Sequence, residues 1–135
     1  MRFVIDASFI ASLLLPDEAA EKSASQLERM NGDGAVAPTL WQLEVANMLL
    51  TAQRRKRIDT SQFIQILEAV DSFPVTLQPA LTPIQRGDLL NLARKHRLTA
   101  YDAAYLELAL RLDLPLATVD DRLMRAARAE GAKTL

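Results

Sequence analysis

Four acidic side chains are placed among apolar elements, at positions where they could share a ligand. Asp6 ends the apolar run Phe3-Val4-Ile5, and Glu44 stands inside the apolar stretch 40–50. Asp102 falls in the first turn of the apolar helix that Thr99 opens, and Asp120 follows the short apolar run Leu114–Thr118. Burying one carboxylate without a partner costs several kcal/mol or forces it neutral, so four among apolar elements call for compensation. A divalent cation supplies it. Oxygen ligands without a Cys or a second His suit Mg²⁺ or Mn²⁺ rather than Zn²⁺, and carboxylate-held ions of this kind hydrolyse phosphodiesters by generating hydroxide and stabilising the leaving oxygen.

Each acid also has a structural reading. Asp6 could accept amide hydrogen bonds from the following turn. Asp102 completes a capping-box-like Thr99-x-x-Asp102, and Asp120 could cap the next helix with Asp121 as its solvated neighbour. Glu44 is the exception, because a glutamate between Trp41 and Met48 on a helix with little polar face is poorly explained as surface charge.

The elements that must position these acids alternate. Arg2–Ile5 reads as a strand ending at Asp6, and Phe9–Leu15 as a helix closed by Pro16. Pro16–Glu18 starts a second helix through about Met30, which Asn31-Gly32-Asp33-Gly34 ends. Ala35–Ala37 is a second strand. Leu40–Leu50 predicts a helix with apolar residues nearly all round and therefore well buried. Asp59-Thr60-Ser61 caps a helix through Phe63, Ile64, Leu67 and Val70, which with Trp41 and Leu49 suggests a two-helix arm. Phe73–Leu77 is a third strand, and Thr82-Pro83 opens a helix over Ile84–His96. Leu114–Thr118 is a fourth strand; the last helix opens at Asp120-Asp121 and ends at Gly131, leaving a short Ala-Lys-Thr-Leu tail. A strand followed directly by a helix, repeated, predicts an α/β domain with a mainly parallel sheet, and open sheets of that kind place ligands at the carboxyl ends of their strands.

Composition narrows the chemistry. At 135 residues, half of them hydrophobic, the chain is expected to form one domain over 1–135 with a continuous core. With 16 Lys and Arg against 17 Asp and Glu the formal net charge is -1, so attraction to nucleic acid must be local. No Cys means no disulfide, thiolate nucleophile or Cys-ligated zinc, and the single His96 excludes a paired-histidine nuclease or an H-E-x-x-H zinc site within one chain. The N-terminus meets Asp6 before a signal-peptide apolar region could form, and no apolar run reaches the ~18 residues of a membrane span, so a cytoplasmic protein with no membrane partner is expected.

Val4-Ile5-Asp6-Ala7-Ser8, Glu44–Leu49, Thr99–Tyr105 and Leu116–Asp120, in that order, resemble the PIN-domain family, and more closely its VapC-type toxins of type II toxin–antitoxin pairs. The resemblance spans essentially the whole chain. It implies a three-layer α/β/α PIN-like domain with a central, mainly parallel twisted sheet, in which Asp6, Glu44, Asp102 and Asp120 line one catalytic pocket binding Mg²⁺ or Mn²⁺. Ser8 and Thr118 match positions that support this shell, and Asn47 a polar position beside the glutamate. The implied activity is endoribonuclease cleavage of RNA phosphodiesters through a metal-activated water. The implied partners are a second copy of the chain and a VapB-like antitoxin whose C-terminal segment blocks the pocket, often with an Arg facing the acids. Asp121 leaves the ligand choice at the doublet open, with Asp120 in better register.

Arg54-Arg55-Lys56-Arg57 offers local charge for an RNA backbone beside an acidic pocket. Arg94-Lys95-His96-Arg97 reads instead as a solvated helix end favoured by the macrodipole. Trp41 and Phe63 read as packing or partner contacts rather than base-stacking platforms. Two other functions compete. An aspartyl-nucleophile phosphoryl transferase could use Asp6, but a dehalogenase-type phosphatase wants an acid where Ser8 stands. A non-catalytic RNA- or protein-binding module could keep the fold without the chemistry. The four glycines form no phosphate-cradling loop, which removes a nucleotide switch.

Overall fold

Four very short apolar runs make the sheet. In the computed structural model, which describes residues 2–18, 28, 29 and 31–135, the strands are β1 (Phe3–Ile5), β2 (Ala35–Ala37), β3 (Val75–Leu77) and β4 (Leu116–Ala117). They lie in the order β3-β2-β1-β4, every pair parallel, with Val4 opposite both Val36 and Leu116. Every residue of β1, β2 and β4 is buried, as expected where helices cover both faces of a sheet; edge strand β3 is half-exposed. This is the three-layer α/β/α architecture with a parallel central sheet that the motifs imply. Strands β3 and β4 start later than the runs 73–77 and 114–118, because Pro74 and Pro115 lack the N–H that a ladder requires, and β4 stops one residue before Thr118.

The described residues form six helices in regular elements: α1 (Ala7–Leu14), α2 (Leu40–Arg54), α3 (Thr60–Ser72), α4 (Pro83–His96), α5 (Ala100–Leu112) and α6 (Asp121–Ala129). Local chemistry sets most of their starts. Asp59 with Gln62, and Thr82 with Gln85, complete reciprocal capping boxes, while Asp6, Thr99 and Asp120 cap α1, α5 and α6 through their side chains. Helix α5 is the hub. Its residues Ala103 to Ala109 are all buried, and it packs on α4, α6, β1 and β4. Asp102, at its first turn, is thereby fixed against the carboxyl end of the sheet.

Helix α2 departs from the expectation that it is buried all round. Its buried stripe is Trp41, Val45, Leu49 and Ala52, whereas Leu43 is 76% and Leu50 41% exposed. It lies on α1 and α3 by one stripe only, so its outer leucines meet solvent. The helix read from Pro16 to about Met30 falls largely outside the described residues; Pro16–Glu18 form a turn, and residues 31–33 are still helical. Within the run 31–34 it is Gly34 that ends the segment, at φ +79, and a Cβ there would stand 2.9 Å from the Pro74 carbonyl oxygen. Gly34→Ala should therefore lower stability by about 2 kcal/mol in urea denaturation, through left-handed backbone strain and this clash.

Two long-range contacts have no local signature. The tail 133–135 lies parallel beside β4: Leu116 N–H donates to Lys133 O at 2.8 Å, and Leu135 N–H to Leu116 O at 3.0 Å. His96, read above as part of an exposed end, has its side chain only 13% exposed, 3.3 Å from a Glu130 carboxylate oxygen that also takes Lys95 at 2.8 Å. Glu130 joins the ends of α4 and α6 and is held below its ordinary pKa by the Lys95 ammonium, with His96 assisting. Among the described residues no helix is long and apolar enough to cross a membrane.

Candidate active site

Strands β1 and β4 are parallel neighbours that end level, with Asp6 N–H donating to Ala117 O at 3.2 Å. The residues leaving both strands therefore meet. Asp6, 5% exposed, receives Phe9 N–H at 2.9 Å and Ser8 Oγ–H at 2.8 Å on Oδ1, and the Thr118 hydroxyl on Oδ2. Thr118 Oγ1 also accepts Asp120 N–H at 3.0 Å, and Ser8 Oγ accepts Val119 N–H at 3.2 Å. Ser8 and Thr118 thus tie the β1–α1 turn to the β4–α6 turn around one carboxylate. Burial pushes the Asp6 carboxyl up to about 6 despite these donors, and the charge of Asp102 adds to the rise.

Glu44 reaches the same region from α2. It is half-buried and accepts a short hydrogen bond from the Tyr105 hydroxyl. Burial raises its pKa, Tyr105 opposes the rise, and Asp102 reinforces it. Asp102 is also raised, by burial first and then by the charge of Asp120, with Thr99 and Arg122 lowering it. Thr99 Oγ1 accepts Asp102 N–H at 3.1 Å, as the capping reading expects. Asp102 therefore shares a field with each of the other three acids: Asp6, Glu44 and Asp120.

Both readings of Asp120 meet in one side chain. Its Oδ1 accepts Leu123 N–H at 2.8 Å as a helix cap, while its charge is felt at Asp102. Asp121 is exposed in the first turn of α6, and Asp120 is the neighbour whose charge acts on Asp102. Among the described residues no three carboxylate or imidazole groups stand close enough to form a ready ligating cluster. Asp6, Glu44 and Asp120 are each held by their own donors. The donor chemistry nevertheless fits a hard divalent ion. Carboxylates whose charged forms are destabilised by burial and by one another are those that a cation relieves.

Asn47, one turn beyond Glu44, is exposed and makes no hydrogen bond to the four acids. In the basic turn, Arg57 is not free for a ligand, since it forks onto Asp17 at 2.7 and 2.8 Å and reaches Glu18 at 2.9 Å. Arg54, Arg55 and Lys56 are exposed. Trp41 is core and Phe63 packs against it, as the packing reading expects. Two participants were missed by inspection of the acids alone, Tyr105 and Arg122. The hydroxyl three residues after Asp102 on one helix face was the available signal for Tyr105.

Thr118→Val keeps the shape but removes the donor to Asp6 and the acceptor for Asp120 N–H. Carboxyl NMR should show Asp6 titrating above its wild-type value, and denaturation should show a loss of about 1–3 kcal/mol.

The chain is similar to several known proteins. The chain matches the family model for the PIN domain over residues 3–129. It is 34% identical over 126 residues to Ribonuclease VapC3 of Pyrobaculum aerophilum, covering 91% of this chain and 92% of that protein. Ribonuclease VapC12 of Mycobacterium tuberculosis is 31% identical over 123 residues, covering 91% and 90%. The crystal structure of PAE2754 from Pyrobaculum aerophilum superposes with a TM-score of 0.73 at 22% identity, covering 99% of this chain and 89% of that one. FitAcB from Neisseria gonorrhoeae gives 0.65 at 16%, covering 100% and 96%. These two likenesses are of fold.

Proposed function

This chain belongs to the PIN domain family, and from that premise we propose that it is the ribonuclease toxin of a toxin–antitoxin pair, a Mg²⁺- or Mn²⁺-dependent endoribonuclease acting in the cytoplasm. The observation that carries the reading is the position of Asp102, within electrostatic reach of Asp6, Glu44 and Asp120 at the carboxyl ends of parallel strands. The names of the VapC relatives, both ribonucleases, support RNA as substrate.

Asp6, Glu44, Asp102 and Asp120 would hold the ion, which when bound supplies a water ionised near neutral pH and positive charge facing the phosphate. The chain's own residues set the stage for that chemistry. Ser8, Thr118 and Phe9 N–H hold both oxygens of Asp6, so it enters the reaction without reorganising. Tyr105 fixes one oxygen of Glu44 and leaves the other without a protein donor among the described residues. Burial and the charges of their neighbours raise the proton affinity of Glu44 and Asp102 in the metal-free protein, and a bound cation would offset that cost. Asn47, one turn from Glu44 on α2, is the polar side chain we assign as its neighbour.

Protein partners are part of the same reading. Leu43, Ile64 and Leu67 leave apolar area exposed on α2 and α3, consistent with an antitoxin or a second copy covering the arm. Expression of the wild-type chain without antitoxin should arrest bacterial growth, and Glu44→Gln should restore it to the empty-vector rate. Unrelieved arrest by a Glu44→Gln protein present at equal level contradicts the proposal.

A further inference from the structure

The cations of this nearly neutral chain differ in what they are free to do. Arg57 is forked across Asp17 and Glu18, Arg111 across buried Glu107, and Lys95 reaches Glu130. Arg122, Arg125 and Arg128 form another group. They recur at every third position of α6, all are exposed, and none has an ion-pair partner among the described residues. Arg128 spends one donor on Thr134 Oγ1 at 3.2 Å and keeps four.

Helix α6 is sharply two-sided. Leu123, Ala126 and Ala127 are its buried face, and residues three apart stand side by side on a helix, so the arginines make a ridge spanning about 9 Å of the axis. The ridge begins at the pocket. Arg122 follows Asp120 by two residues, and it is the cation whose charge offsets the acids at Asp102. A cation in the first turn opposes the positive end of the helix dipole, so local helix energetics do not call for Arg122. Asp121, in the same turn, cancels part of the ridge's charge and leaves it net positive.

A polyanion approaching four carboxylates needs positive charge at their lip, and guanidinium groups bind phosphate oxygens in pairs. We infer that Arg122, Arg125 and Arg128 form the track along which the RNA backbone enters the acidic pocket, in place of the basic turn after α2. The inference rests on the reading that RNA is the substrate. The turn after α2 is less suited: its Arg57 is committed to an internal ion pair, and Arg54 lies ten residues, about 15 Å of helix, beyond Glu44.

The test is the salt dependence of binding of a labelled single-stranded RNA to the full chain, read by fluorescence anisotropy in chelator so that no cleavage intervenes. For a single strand, every phosphate that a variant no longer neutralises should lower the slope of log K against log salt by about 0.7. R125Q/R128Q should flatten the slope, R122Q should flatten it further, and R125K/R128K should restore it. R54Q/R55Q should leave it at the wild-type value. An unchanged slope in R125Q/R128Q, a flattening that follows Arg54 and Arg55 instead, or no salt-dependent wild-type binding overturns the inference. Cleavage of the same RNA with Mn²⁺ separates the two claims. Cutting by a protein whose binding ignores the ridge overturns the ridge alone, whereas ridge-dependent binding without cutting overturns the nuclease reading alone.

Discussion

Asp6→Asn should abolish RNA cleavage, by about a thousandfold or more, while making the metal-free protein more stable at neutral pH. The two effects have one cause. Burial lifts the Asp6 carboxyl up to about 6, so its ionised form is carried at neutral pH at a cost on the order of 3 kcal/mol. An amide keeps the acceptor for Phe9 N–H and Ser8, and the Thr118 hydroxyl can turn to accept from it, without the charge. The sign of the pH dependence follows. Between the unfolded value near 4 and the folded value of about 6 the native state binds the extra proton, so wild-type stability falls as pH rises through that window and levels above it. Urea denaturation from pH 4 to 8 should show this slope in wild type and its loss in Asp6→Asn. A variant that loses cleavage and is also less stable at pH 7 would mark Asp6 as a helix cap that matters mainly to folding.

Mn²⁺ should raise the melting temperature of the wild-type protein, and Asp102→Asn should remove that rise while raising the metal-free melting temperature. A ligand bound only by the native state adds about 2.7 kcal/mol at a hundred times its Kd. For a chain this size that is a shift on the order of 10 °C. Asp102 is the sharpest probe because its charge is coupled to those of the other three acids. Neutralising it relieves repulsion with Asp6, Glu44 and Asp120 and removes a shared ligand. The opposite signs guard against a trivial outcome, since a misfolded variant would lose stability in both states. Because protons compete for Asp6, the Mn²⁺ shift should shrink as pH falls below about 6. Equal Mn²⁺ shifts in wild type and Asp102→Asn would place the ion elsewhere.

What was legible in the sequence was local. Thr82-Pro83, Asp59 and Thr99 announce their helices because a cap and its partner lie within four residues. The strand-end position of Asp6 and the first-turn position of Asp102 follow from the same short-range signals. Their order along the chain was enough to suggest one family. Contacts between residues far apart in the chain were not legible. Arg57 looks like an open cation until Asp17, forty residues earlier, is folded onto it. His96 looks solvated until Glu130 arrives from α6, and the tail looks idle until it pairs with β4. Apolar composition misled at α2, where Leu43 and Leu50 satisfy the pattern of a buried helix but face outward. The role of Tyr105 needed α2 and α5 to be brought together, since its hydroxyl finds Glu44 across 61 residues of chain.

The central claim, that these four acids make a metal-dependent ribonuclease, is tested most directly by incubating purified, antitoxin-free wild-type protein with total cellular RNA. The reaction is run with Mg²⁺, Mn²⁺ or chelator, beside Asp6→Asn and Glu44→Gln, and the fragment ends are mapped. Discrete cuts that require the divalent ion and vanish in both variants are expected. Cutting that survives chelation or either substitution, or intact RNA with folded wild-type protein under both metals, would contradict the claim.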